Sequence, residues 1–298
     1  MPENKFKGTG VALVTPFDAA KRIDEVALEK LINHVIDQGV NYLVALGTTA
    51  ETPTLSAEEK LHVLNSVIEV NKGRVPVVCG IGGNNTSEVI ATLQSYPLDQ
   101  VDAILSVSPY YSKPTQAGII AHYKEVNKYS PKPIILYNVP GRTGSNMTAS
   151  TTIQLANECE QIIAIKEASG NMVQCMELVK NRPSGFAILS GDDNLAMAQI
   201  ACGFDGVISV AANCFTKMFC EMIEASLQYD FARAQSLHYR LLEGIDLLFV
   251  EGNPAGAKCV LSEMGILQNE LRLPVVPVSS ATQLQIKDFL KTLSNFKN

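Results

Sequence analysis

The run QIIAIKEAS, residues 161–169, sets one lysine inside an otherwise apolar segment. Read as a β-strand, its period of two puts Ala164, Lys166 and Ala168 on one face and Ile163 and Ile165 on the other. Branched isoleucines suit a face covered by helices, whereas the small alanines leave room around a lysine that points the opposite way, into a barrel. Seven further runs share this character: GTGVALVTP (8–16), VNYLVALGTT (40–49), VPVVCGIGG (75–83), VDAILSVSP (101–109), KPIILYNVP (132–140), GFAILSGDD (185–193) and FDGVISVAA (204–212). Continuous apolar strands of this kind belong to a parallel sheet buried on both faces. Lys166 is the one lysine in the interior of any of them.

Helical patterns lie between the strands. Over Asp24 to Gln38, the residues Val26, Leu28, Leu31, Ile32, Val35 and Ile36 supply an apolar stripe. Ser56 and Glu59 stand three apart as a capping box, and Thr86, ahead of SEVI, reads as a cap. Strand then helix, repeated with right-handed crossovers, closes most naturally into a (β/α)8 TIM barrel, with a doubly wound open sheet as the alternative. Beyond the eighth strand, helices are expected near 216–228, 231–250, 254–267 and 279–294. The expected organisation is a barrel over 1–228 and a C-terminal helical region over 229–298.

With 46% hydrophobic and 18% charged residues, the chain has the make-up of a globular protein. A formal charge of −6 without any Lys/Arg cluster argues against nucleic acid as a partner. No apolar run reaches the roughly 18 residues of a membrane span, and MPENKFKGTG lacks the apolar region of a signal peptide. Seven cysteines, an odd number without CxxC spacing, read as reduced thiols of a cytoplasmic protein.

In such barrels the chemistry sits at the C-terminal strand ends. There the sequence places Gly47-Thr48-Thr49-Ala50-Glu51, Pro109-Tyr110-Tyr111, Tyr137 to Arg142, and Ser190-Gly191-Asp192-Asp193. Desolvation of Lys166 disfavours its ammonium form and leaves the free amine that carbonyl attack requires. Tyr137, at the end of the adjacent strand, can pass protons as a carbinolamine becomes an imine. The competing readings are a lysine paired with a carboxylate at the barrel mouth and a tyrosine that only packs. Asp192 or Asp193 reads as the cap of the following helix. The four histidines, 34, 62, 122 and 238, fall in predicted helices, away from the strand ends, so neither a metal site nor a cofactor is expected.

The motifs GTTAE, SPYYSKP, LYNVPGRTG, AIKEASGN, LSGDD and GVISV occur in an order that resembles the dihydrodipicolinate synthase and N-acetylneuraminate lyase group of pyruvate-dependent class I aldolases, over nearly the whole chain. The resemblance implies that Lys166 forms a Schiff base with pyruvate and that Tyr137, Thr48 and Tyr111 relay protons, Tyr111 reaching into a neighbouring subunit's site. It further implies that Thr49 and the backbone near Gly191 and Ile208 hold the pyruvate carboxylate. Arg142, which the synthase branch carries and the lyases lack, is implied to grip the carboxylate of (S)-aspartate 4-semialdehyde. The implied product is 4-hydroxy-tetrahydrodipicolinate, at the entry to diaminopimelate and lysine, made by a homotetramer built as a dimer of dimers. A sister aldolase acting on N-acetylneuraminate or a keto-sugar acid is the nearest alternative. A metal-dependent barrel hydrolase and a noncatalytic ligand-binding barrel represent other classes. Two residues depart from the family pattern. Ala50 replaces a glycine, which narrows the backbone of that turn. Lys60 replaces a histidine or acidic residue in a pocket that Asn84, Glu88 and Tyr110 would otherwise offer to lysine as a feedback inhibitor.

Overall fold

The computed structural model describes residues 5–294. Its strands are β1 (Gly8–Ala12), β2 (Tyr42–Ala45), β3 (Val77–Gly80), β4 (Ala103–Val107), β5 (Ile134–Asn138), β6 (Ile162–Glu167), β7 (Ala187–Ser190) and β8 (Gly206–Ser209). All neighbouring pairs are parallel, and β8 returns to β1 with Gly8 opposite Gly206, so the sheet is a closed barrel and not the open alternative.

Alternation sorts the side chains into two cores. Val11, Leu43, Cys79, Ile104, Leu136, Ile165, Ile188 and Val207 face outward to the helices. Ala12, Val44, Val78, Leu105, Ile135, Ala164, Leu189 and Ile208 fill the interior. The filling begins low in the barrel, where the Phe6 and Tyr42 rings meet edge to face at 5.4 Å and Tyr42 donates to the Val207 carbonyl. Gly10 makes this possible, because a Cβ there would stand 2.1 Å from the Tyr42 ring.

The sequence reading of β6 fails at one residue. Pairing with β5 runs from Ile134↔Ile162 directly to Ile135↔Ala164, which leaves Ile163 as an extra residue in a bulge. Ile163 therefore packs toward the inner cluster, whereas Ile165 faces the helices as expected.

Helix starts follow local hydrogen bonding. Asp24 caps Glu25–Asp37, and Ser56 with Glu59 completes the capping box of Ala57–Asn71. The helix Thr86–Ser95 is capped by Asn85, whose side chain accepts from the Ser87 N–H; the cap thus lies one place before the expected Thr86, which is the first helical residue. After β8 come Thr216–Leu227, Phe231–Leu247, Ala255–Glu263 and Ser280–Ser294. The first of these packs on β1 and β8 as well as on Phe231–Leu247, which joins the last helices to the barrel. All seven cysteines are free thiols, and among the described residues no helix is long and apolar enough to cross a membrane.

Candidate active site

The register of β5 and β6 sets Tyr137 opposite Lys166 and Asn138 opposite Glu167. Tyr137 and Lys166 both turn inward, with only 7% and 5% of their surface exposed, and the lysine nitrogen lies 4.4 Å from the tyrosine ring centre. Among the described residues no carboxylate oxygen comes within 4.0 Å of that nitrogen. Gly191 gives the lysine stem its space: a Cβ there would meet the Ala168 Cβ at 2.5 Å and the Lys166 Cε at 3.1 Å.

Two of the carboxyls near the lysine, those of Glu167 and Asp193, are held by other groups. Glu167 is fully buried and pushed up by burial, while Asn138, Gln174 and the Ser169 N–H donate to it at 3.0, 3.1 and 2.8 Å. Burial pushes Asp192 up to about 6, against the opposing pull of the Lys166 charge. Asp193 is not the helix cap that its position suggested. The helix Ala196–Ala201 has Leu195 at its N-cap without a side-chain bond, and the Asp193 carboxylate turns inward to accept from the Val210 and Ala211 N–H groups at 3.0 and 2.8 Å. Two buried donors following β8 draw it there.

Above Tyr137 opens a cavity of about 490 Å³, lined by Thr48, Lys60, Tyr110, Arg142 and Thr143, with Asn253 and Pro254 from the C-terminal region. Thr48 starts the short 3-10 turn Thr48–Ala50. Thr49 lies buried beside it, and its Oγ1 accepts from Asn253 Nδ2 at 3.1 Å. Leu46 and Glu51, with φ of 56° and 54°, take the left-handed positions that flank this turn. Ala50 takes neither, so an alanine fits where the sequence comparison expected glycine. A larger cavity, about 970 Å³, lies on the far side of Gly191 between Asp192, Asp193, Tyr239, Glu243 and Asp246; Tyr137 and Arg142 do not reach it.

Not every expected residue joins the cleft. Tyr111 has a φ of 69°, donates its N–H to the Thr143 carbonyl, and is 89% exposed, outside the lining of its own chain's cavity. Ile208 is buried in the inner core. Of the four residues read as a regulatory pocket, Lys60 and Tyr110 line the cleft itself. Asn84 only touches it through a 3.3 Å bond to the Tyr110 carbonyl, and Glu88 is exposed in the first turn of its helix. Conversely, Asn253, Pro254 and the partners of Glu51 were not singled out from sequence. Among the described residues no group of three or more His, Cys, Asp or Glu side chains could hold a metal ion.

Residues 5–293 match the model of the Dihydrodipicolinate synthetase family. The chain is 47% identical over 294 residues to the 4-hydroxy-tetrahydrodipicolinate synthase of Parabacteroides distasonis, with 99% of each chain covered. It is 50% identical over 285 residues to that of Azobacteroides pseudotrichonymphae, covering 96% of each. The crystal structure of dihydrodipicolinate synthase from Aquifex aeolicus superposes with a TM-score of 0.94 at 39% identity, over 98% of this chain and 100% of that one. Fold and relatives together define a class, the lyases built on a closed parallel barrel. Within it, the chain belongs to the dihydrodipicolinate synthetase family.

Proposed function

We propose that the chain condenses pyruvate with (S)-aspartate 4-semialdehyde to 4-hydroxy-tetrahydrodipicolinate through a Schiff base on Lys166. The observation that carries this reading is a buried lysine with no carboxylate partner, set against the ring of Tyr137, which lines the cleft. Its amine adds to the pyruvate carbonyl, water leaves, and loss of a methyl proton gives the enamine that attacks the aldehyde carbon. The amino group of the adduct then displaces Lys166 as the ring closes. Tyr137 and Thr48 pass protons in these steps, with Tyr111 supplied by a neighbouring copy in a homotetramer. The exposure of Tyr111 beside a cleft that it does not line supports that last role.

Thr49 and the backbone near Gly191 and Ile208 hold the pyruvate carboxylate. Because Thr49 Oγ1 already accepts from Asn253, its hydroxyl proton is left to donate. Arg142, on the cleft wall, receives the carboxylate of the semialdehyde, which favours this substrate over a sugar acid. The division proposed is a catalytic barrel over 1–228 and a C-terminal helical region over 229–298. Seven free thiols support a cytoplasmic setting.

The test is reductive trapping. Borohydride added with pyruvate should fix a pyruvyl group on Lys166, read by peptide mass spectrometry; label on another lysine, or none that depends on pyruvate, rejects the mechanism. In the same assay Arg142→Ala should trap normally while kcat/KM for the semialdehyde falls roughly 10- to 100-fold, the worth of a charged hydrogen bond. Equal loss of both would move Arg142 to the pyruvate side.

A further inference from the structure

We propose that Glu51 and Lys258 form a positioning pair through which the C-terminal region sets Thr48 in the cleft and Thr49 beside it. This rests on the roles just given to those threonines. Glu51 closes the turn that carries them: its N–H donates to the Thr48 carbonyl at 3.3 Å, and its own backbone is left-handed. A non-glycine residue holds that conformation at a cost unless its surroundings fix it.

The contacts of the Glu51 carboxylate come from the C-terminal region. Lys258 Nζ lies 2.6 Å from Glu51 Oε1, with side-chain exposures of 0% and 1%. The other carboxylate oxygen accepts the Arg272 N–H at 3.0 Å. Lys258 is itself held, donating to the Glu270 carbonyl at 2.9 Å and standing 4.0 Å over the Phe17 ring. Arg272 grips Glu59 with two bonds of 2.7 and 2.6 Å, and Glu59 completes the capping box of the helix that follows the turn. The bond from Asn253 to Thr49 is a second tie from the same region.

A buried ion pair adds little net stability over well-packed apolar residues of the same volume, so its presence calls for another account. Direction is what it adds. Desolvation pulls Lys258 down to about 8 while Glu51 opposes the shift, as expected of a pair shut away from water. Charges at this separation hold two segments in one relative position, and a misplacement of the order of 1 Å is enough to cost about 100-fold in a catalytic step.

The test uses the full chain with Glu51→Gln, Lys258→Met and the two combined. Sites that trap pyruvate under borohydride count the folded, imine-forming molecules; turnover per trapped site and the pyruvate KM then report the turn. For Glu51→Gln we expect trapping at saturating pyruvate, a raised pyruvate KM and turnover per trapped site lower by about 10-fold or more. Lys258→Met should fall further. The double variant should recover part of that loss, because glutamine keeps an acceptor for the Arg272 N–H and leaves no unpaired charge. If Lys258→Met does not fold, the other two decide. Turnover per trapped site and pyruvate KM at wild-type values in Glu51→Gln and in the double variant overturn the proposal, whatever their melting temperatures. A wild-type chain that turns over without trapping pyruvate rejects the Schiff base instead; the pair is then judged on turnover per folded chain and on the same KM.

Discussion

Lys166 and Lys258 are the two buried lysines among the described residues, and their surroundings differ in kind. Lys258 meets a carboxylate at 2.6 Å and a carbonyl at 2.9 Å. Lys166 has the face of an aromatic ring and a glycine beside its stem, with no carboxylate in ion-pairing range. Removing an ammonium from water is expensive, and a protein that needs only structure supplies the counter-charge. Where it is withheld, as at Lys166, no ion pair holds the nitrogen, which is the setting the proposed covalent bond starts from. The partner, more than the burial, separates the ion-paired lysine from the one proposed to react.

The sharpest way to break this distinction is to exchange both lysines for methionine in turn. Lys166→Met should abolish pyruvate trapping and lower turnover by about 1,000-fold or more, since no other group replaces a covalent nucleophile. Activity within tenfold of wild type would erase the contrast. Lys258→Met should instead strand the Glu51 charge and cost about 3–5 kcal/mol of stability, measured as a fall in the urea midpoint. A midpoint shift worth less than about 1 kcal/mol would mean that Glu51 finds other partners.

Burial of a base without a carboxylate can be read separately at His122. Desolvation alone pulls it from 6.5 down to about 4. The unfolded chain then binds a proton more readily than the folded one between these values. The stability it contributes is thus fully present above pH 6.5 and is lost as the pH falls toward 4. Between pH 7 and pH 5 the loss from this group is about 2 kcal/mol. In His122→Gln the melting temperature should fall less over that interval; an unchanged acid limb would assign it to the buried carboxyls.

The smallest effect concerns a third lysine, Lys60, which lines the cleft near Tyr110 with no carboxylate within 4.0 Å among the described residues. A lysine molecule bound there would bring a second ammonium close, at a cost of about 1 kcal/mol at 4 Å in water. Weak or absent inhibition by lysine is expected in an assay at saturating pyruvate, and Lys60→His should strengthen it. Half-inhibition at submillimolar lysine would show Lys60 turned away.

Lys166 was legible in the sequence because a charge inside an apolar strand breaks a local rule. The barrel was legible because eight runs obey one. Lys258 was not, since AGAKCVLSE reads as an ordinary helix and nothing local tells that its lysine faces Glu51, far upstream in the chain. Asp193 misled for the same reason: as a cap its partners would be its neighbours, whereas its actual partners follow the next strand. Ile163 failed because a bulge depends on how two strands pair, which a single strand does not record. Tyr111 was quoted from its motif, but its exposed, left-handed setting appears only when the chain folds around it.

The Phe6 and Tyr42 rings, set edge to face beneath the barrel's inner filling, have a consequence for traffic. With the lower end filled, the traffic of pyruvate, the water it releases, the semialdehyde and the finished ring falls to the upper side, where the cleft lined by Tyr137 opens. Arrivals and departures therefore queue. A first substrate that only rested in the chamber could leave before the second arrived, whereas one held by the Schiff base proposed at Lys166 could not. The plug and the tether together call for a rate law in which pyruvate loads and water leaves before the semialdehyde enters, with product clearing the way for the next pyruvate.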